Sequence, residues 1–272
     1  MGAVRTDPPR PPGTWLLRSA TGYPRRNPAA FGYLLLLTVD AAVLCRVLPA
    51  SDGARLRQDI STNLDNMGRH PLRSLFGSLL VVDPGSALTF LLVVVVGLAV
   101  CVALLERSIG TPRAVALVLA AHVGATLTTT AVIAVAVGDG TYPQATRHAL
   151  DYGVSYVSIA AVAAVTPLLP RRLRPWWAGA AVLYPLSGAE WYATLPDFTT
   201  IGHCTAALIG LACARISGVG RDRPRATADT DPARMGRARC DVVRRQVSAR
   251  RLLPAGRCDH RGRCWRPGWR HR

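Results

Sequence analysis

The sequence predicts an all-α membrane protein, a bundle of six transmembrane helices with both termini in the cytoplasm. Three observations carry that prediction. Half of the 272 residues are hydrophobic, and they are gathered into long blocks with almost no charge. One such block, Ala87–Leu105, has no charged residue and makes a helix about 28 Å long, close to the roughly 30 Å hydrocarbon core of a bilayer. The charges lie between the blocks and in the tails, a segregation that lipid imposes because an unsatisfied polar group there costs several kcal/mol.

The expected spans are Phe31–Leu48, Ala87–Leu105, Ala114–Val137, Gly153–Leu169, Trp176–Thr194 and Phe198–Ile216. Residues 1–29 are rich in Arg and Pro and are expected to be a disordered cytoplasmic leader. The apolar block that follows has no small-residue cleavage site and more spans behind it, so it is a retained helix rather than a signal peptide. Residues 30–217 form the membrane domain. Residues 218–272 alternate Arg with Pro, Gly and Ala without apolar periodicity, and are expected to be a disordered tail that touches anionic lipid. Between the first two spans lies a long connector. Its apolar stretch Leu75–Val82 is too short to cross and is expected in the interface or folded back on the bundle. Asp83-Pro84-Gly85-Ser86 then stops it and caps the second span.

Orientation follows from arginine, the only basic residue here besides histidine, since the chain has no lysine. Arginines fill the leader, the connector after the second span (Arg107, Arg113), the connector after the fourth (Arg171, Arg172, Arg174) and the C-terminal tail. The third connector has Arg147 and the fifth none. Both termini are therefore placed inside. Arg55, Arg57, Arg69 and Arg73 of the first connector run against this but are outnumbered. The net charge of +17 is explained by span-flanking and tail arginines, so the bilayer is the expected partner and nucleic acid is not. Four of the seven cysteines sit in apolar blocks as small hydrophobes. The tail string Cys258-Asp-His260-Arg-Gly-Arg-Cys264 fits no standard zinc spacing, so neither a metal nor another cofactor is expected.

Polar residues within the spans are the functional candidates. They are Asp40 in the first, His122 in the third, Glu190 in the fifth and His203 in the sixth, with Ser155 near the start of the fourth. The fourth and sixth spans both run from outside to inside. Ser155 lies two residues after Gly153, and His203 five residues after Phe198. At such matched depth a serine and a histidine can meet as nucleophile and general base. The bland alternatives are a serine bonded to a carbonyl of the preceding turn and a histidine joining two helices. Asp40 and His122 fall near mid-membrane and are expected to pair with each other or with buried water.

Three motifs now stand in order on these spans. Leu105-Glu106-Arg107-Ser108-Ile109-Gly110 closes the second. Gly153-Val154-Ser155 opens the fourth. Gly202-His203, then Ala206 and Gly210, lie on the sixth. Together they resemble the rhomboid family of intramembrane serine proteases, whose signatures are Glu-Arg-x-x-Gly, Gly-x-Ser-Gly and His-x-x-Gly-x-x-x-Gly. The resemblance covers about residues 31–217. Asp151-Tyr-Gly-Val-Ser-Tyr156 is similar to a string found in an actinobacterial rhomboid-like branch. The resemblance implies Ser155 as nucleophile and His203 as base, a site near the outer face that includes Gly153 and Tyr156, and transmembrane segments as substrates. It also implies departures. The family's oxyanion-binding His and Asn correspond, by count from Glu106, to Phe90 and Val94. The glycine after the nucleophile is Tyr156, and the aromatic one turn beyond it is Ile159. Tyr156, His148 and backbone amides are the remaining candidate donors. The expected function is thus a rhomboid-like protein that engages transmembrane segments in the plasma membrane of a bacterium with weak or no cleavage. The alternatives are an active protease with a Ser155/His203 dyad, and a transporter or channel using Asp40 and His122. Transport ranks last, since no inverted repeat or pair of broken spans is visible.

Overall fold

The computed structural model describes residues 22–82 and 86–220. The expectations for 1–21, 83–85 and 221–272 lie outside the described residues. A helical turn over 22–26 and the start of α1 (Pro28–Val47) fall within the stretch expected to be disordered. Glu106 organises this region. Its carboxylate, 4% exposed, accepts from the backbone N–H of Ala29 at 2.9 Å and of Ala30 at 3.1 Å. A helix start carries unpaired N–H groups and partial positive charge, which a carboxylate satisfies together. Thr111 Oγ1 donates to the same carboxylate, and Arg107 Nε donates to Asn27 Oδ1. The Glu-Arg pair therefore ties the end of one helix to the start of another.

The first connector folds into three short helices, α2 (Ala50–Ile60), α3 (Leu64–Arg69) and α4 (Pro71–Gly77). It returns to the bundle as expected: Tyr33 Oη donates to Leu79 O at 2.8 Å, and Thr62 N donates to Asp151 O at 3.0 Å. Ser86 caps α5 (Ala87–Ile109), its hydroxyl accepting from Thr89 N. From Leu91 to Val102 this helix is wound with i→i+5 bonds. Gly110 turns the chain with φ 83°, a left-handed conformation that suits glycine, and α6 (Thr111–Gly138) follows. Next come α7 (Gly153–Leu168, its last turn 3₁₀) and α8 (Arg174–Leu183). A two-stranded hairpin, β1 (Trp191–Tyr192) against β2 (Leu195–Pro196), then leads into α9 (Phe198–Ile216).

Four of these helices, α1, α5, α6 and α9, are long and apolar enough to cross a bilayer, and α7 is a shorter apolar helix. The fifth expected span, Trp176–Thr194, is corrected: α8 ends at Leu183 and a 3₁₀ stretch over Tyr184–Gly188 replaces its continuation. Pro185 lacks the N–H an α-helix needs, and Gly188 adds flexibility just beyond. Glu190 consequently lies in an exposed connector rather than within a helix.

The core is built on close approach of α6, α7 and α9. Ala160, Ala161, Ala163 and Ala164 of α7 are fully buried, and a Cβ on Gly210 would collide with the backbone of Ala160. Small residues let backbones meet where lipid supplies no hydrophobic drive between helices. Leu35, Leu36 and Val39 of α1 and Val95 and Val100 of α5 face outward. A belt of that kind would be a liability in water and suits a lipid surface.

Candidate active site

Ser155 stands in the first turn of α7 and His203 in the second turn of α9. Both line one cavity of about 320 Å³ between α5, α7, α8 and α9. Its surface is almost wholly apolar, with Leu92, Val93 and Val96 on one side and Ile159, Val162 and Ala181 on the other. No hydrogen bond joins the two side chains among the described residues. Ser155 Oγ donates instead to Tyr152 O, at 3.3 Å, the bonding to a preceding-turn carbonyl that serines in helices commonly adopt.

The wall beside Ser155 differs in register from the sequence expectation. Phe90 is 48% exposed, Val94 is half-buried, and neither lines the cavity; Thr89, Leu92, Val93 and Val96 do. The i→i+5 winding of α5 lengthens each turn beyond 3.6 residues, so a count from Glu106 at α-helical pitch lands on the wrong face. The side chains of α5 that do line the cavity are one threonine, one leucine and two valines.

Three of the candidate donors, Gly153 N, His148 and Tyr156, have other partners. Gly153 N donates to Ser78 O at 3.1 Å, and a Cβ on Gly153 would overlap the His122 ring. That glycine is therefore required by packing. His148 lies beside Asp65 with 3.4 Å between Nδ1 and Oδ2. Tyr156 is 0% exposed, and its Oη donates to Asp151 Oδ1 at 2.9 Å. The Tyr156 ring meets the His203 ring edge-on, with centroids 5.2 Å apart and planes at 69°. An aromatic residue thus rests on His203, but from the position after Ser155, while Ile159 lines the cavity.

Asp151 heads the string Asp151-Tyr-Gly-Val-Ser-Tyr156, but sequence reasoning gave it no role. It is 4% exposed. Its side chain accepts from Tyr156 and from Thr62 Oγ1 at 3.1 Å, and its backbone N–H donates to Ser61 Oγ at 2.9 Å. Burial pushes its carboxyl up to about 6, against the opposing pull of the bonds from Tyr156 and Thr62. The available signal was an aspartate two residues before a span, with an unexplained Ser61-Thr62 pair at the end of a connector helix. Asp40 and His122 are not joined: His122 Nε2 lies 2.9 Å from Leu75 O.

His203, Tyr184 and Pro185 also line a second, more polar cavity of about 710 Å³, which includes Asp197, Glu190 and Tyr142. Asp197 there caps α9, accepting from Thr200 N at 2.9 Å. His203 thus borders an apolar space on one side and a polar one on the other. Such a place can hold an apolar segment next to a water-accessible imidazole.

Comparison with known proteins agrees with this architecture. No curated protein and no solved structure matches the chain. The family model described as rhomboid-like protein matches residues 22–223, which take in α1, the connector helices, the Glu106 junction, and both helices that carry Ser155 and His203. On that match the chain belongs to the rhomboid-like protein family.

Proposed function

We propose that this rhomboid-like protein is a bundle of six membrane helices, with the short α8 as the fifth, in the bacterial plasma membrane with both termini cytoplasmic, that holds transmembrane segments of other proteins against the apolar cavity and cleaves them weakly or not at all. The observation that carries this reading is the state of Ser155. Its hydroxyl is turned to Tyr152 O, and it faces a wall of Leu92, Val93 and Val96. A tetrahedral intermediate would place a negative oxygen in that space. Each absent oxyanion donor costs about 3–4 kcal/mol, and Gly153 N, His148 and Tyr156 each have another partner. Two absent donors, about 6–8 kcal/mol together, exceed the roughly 10²–10⁴-fold help, about 3–5 kcal/mol, that a general base supplies.

The test pairs binding with cleavage. A photo-crosslinking residue at Val93 is expected to capture an apolar transmembrane segment in membranes, while the purified wild type leaves that segment intact on the time scale of turnover. Cleavage by the wild type that Ser155→Ala abolishes would overturn the reading. It would support the second one, an intramembrane serine protease using Ser155 and His203, whose support is that both side chains line one cavity.

A further inference from the structure

We infer that Asp151 and Tyr156 act as a positioning pair for His203, with Asp151 holding the Tyr156 ring and that ring setting the plane of the imidazole at the wall shared by the two cavities. Among the described residues, no hydrogen bond reaches the His203 ring, so packing must orient it. The contact that does so is the edge-on meeting with Tyr156, at 5.2 Å between centroids. Aromatic rings favour this geometry because the positive edge of one meets the negative face of the other.

A ring can orient another only if it is itself fixed, and the phenol end of Tyr156 is held by two neighbours. Its hydroxyl donates to Asp151 Oδ1 at 2.9 Å. Asp151 is anchored in turn to the first connector through Ser61 and Thr62. On the far side Gly202 leaves the space the phenol occupies: a Cβ there would lie 2.5 Å from Tyr156 Oη and 2.6 Å from Cζ. The residue before His203 is thus a glycine where the tyrosine must fit. The chain of contacts runs from the connector through Asp151 and Tyr156 to His203, and it reaches the imidazole without passing through Ser155.

The value of this device rests on the reading of Ser155 and His203 as one site, but ring placement is measurable with no substrate. The experiment is solution NMR of the full chain in micelles with isotope-labelled histidine, the His203 signals being assigned by their loss in His203→Gln. In the wild type those ring signals are expected to be displaced by the Tyr156 ring current. Tyr156→Phe keeps a ring but cuts the tether, so the displacement should shrink and the signals broaden. Asp151→Ala should do the same, with the double variant no worse than either single one. Asp151→Asn keeps an oxygen acceptor for the hydroxyl and should restore the wild-type position. His122 is an internal control: its centroid is 6.5 Å from Tyr156, but its ring is held by Leu75 O, so its signals should change little.

His203 signals unchanged in both Tyr156→Phe and Asp151→Ala would overturn the inference. So would loss of the displacement in Asp151→Asn, which would assign Asp151 to the connector alone. Joint movement of His122 and His203 would also overturn it, since that is general repacking. None of these outcomes depends on cleavage, so the proposed function can fail while this inference stands.

Discussion

Glu106 and Asp151 are two buried carboxylates that each tie separate segments together, Glu106 accepting three hydrogen bonds and the Asp151 side chain two. Glu106 satisfies two backbone donors at the start of α1 and the hydroxyl of Thr111. Glu106→Ala removes all three bonds at a buried site and should lower stability by about 3 kcal/mol or more, since each buried donor left unsatisfied costs roughly 1–3 kcal/mol. Thermal unfolding in micelles measures it, and Glu106→Gln, which keeps one acceptor oxygen, should lose less. Asp151 gives a pH signature. Its carboxyl stands at about 6 in the folded chain, above the ordinary value near 3.9 of an unfolded aspartate. The native state therefore keeps a proton, between about pH 4 and 6, that the unfolded chain has released. Stability is greatest below that window, falls as pH rises through it by roughly 2–3 kcal/mol, and is level above it. Comparing unfolding midpoints at pH 4 and pH 7.5 should show this fall in the wild type. The fall should be smaller by that amount in Asp151→Asn.

At the scale of elements, glycine decides which helices can touch. Gly210 lies against the backbone of Ala160, where a Cβ has no room. Gly210→Ala should push α9 from α7 and cost about 1–3 kcal/mol, the usual penalty of overpacking a core. Gly32 of α1 has nothing within 4 Å of an added Cβ. Gly32→Ala should be neutral or stabilise by up to about 1 kcal/mol through helix propensity. Opposite signs from the same chemical change, read by unfolding in one detergent, would check the packing of α7 and α9. The same comparison explains what the sequence allowed to be read. The cap at Ser86 and the ends of α9, Phe198 and Ile216, follow from local chemistry and are legible in the sequence. The winding of α5 and the early end of α8 do not. The first is a departure from ideal pitch that a count along the chain cannot see. The second depends on whether Pro185 bends a helix or ends it, which neighbouring elements decide.

For the whole molecule the arginine asymmetry gives a topology that accessibility can test. In a cysteine-free background, Ser187→Cys should react with a membrane-impermeant thiol reagent added outside intact cells. Arg172→Cys should react only after the membrane is opened. The reverse pattern would invert the bundle and place Ser155 and His203 near the inner face.

Composition and spacing by themselves determined that the chain is a membrane protein and where four of its long apolar helices lie, because hydrocarbon tolerates few unpaired polar groups and its thickness sets helix length. They also gave the expectation that Ser155 and His203 lie at similar height on two helices, because rise per residue is constant along a helix; in the structure both line one cavity. Only the tertiary structure decided which side chains face one another. Tyr156 rather than Ile159 packs on His203, Val93 and Val96 rather than Phe90 and Val94 wall the cavity, and His122 bonds Leu75 rather than Asp40. Azimuth around a helix and the packing of distant segments depend on all the elements at once. A connector residue such as Asp151 acquires its partners, and its raised protonation range, only when Thr62 and Tyr156 are brought to it.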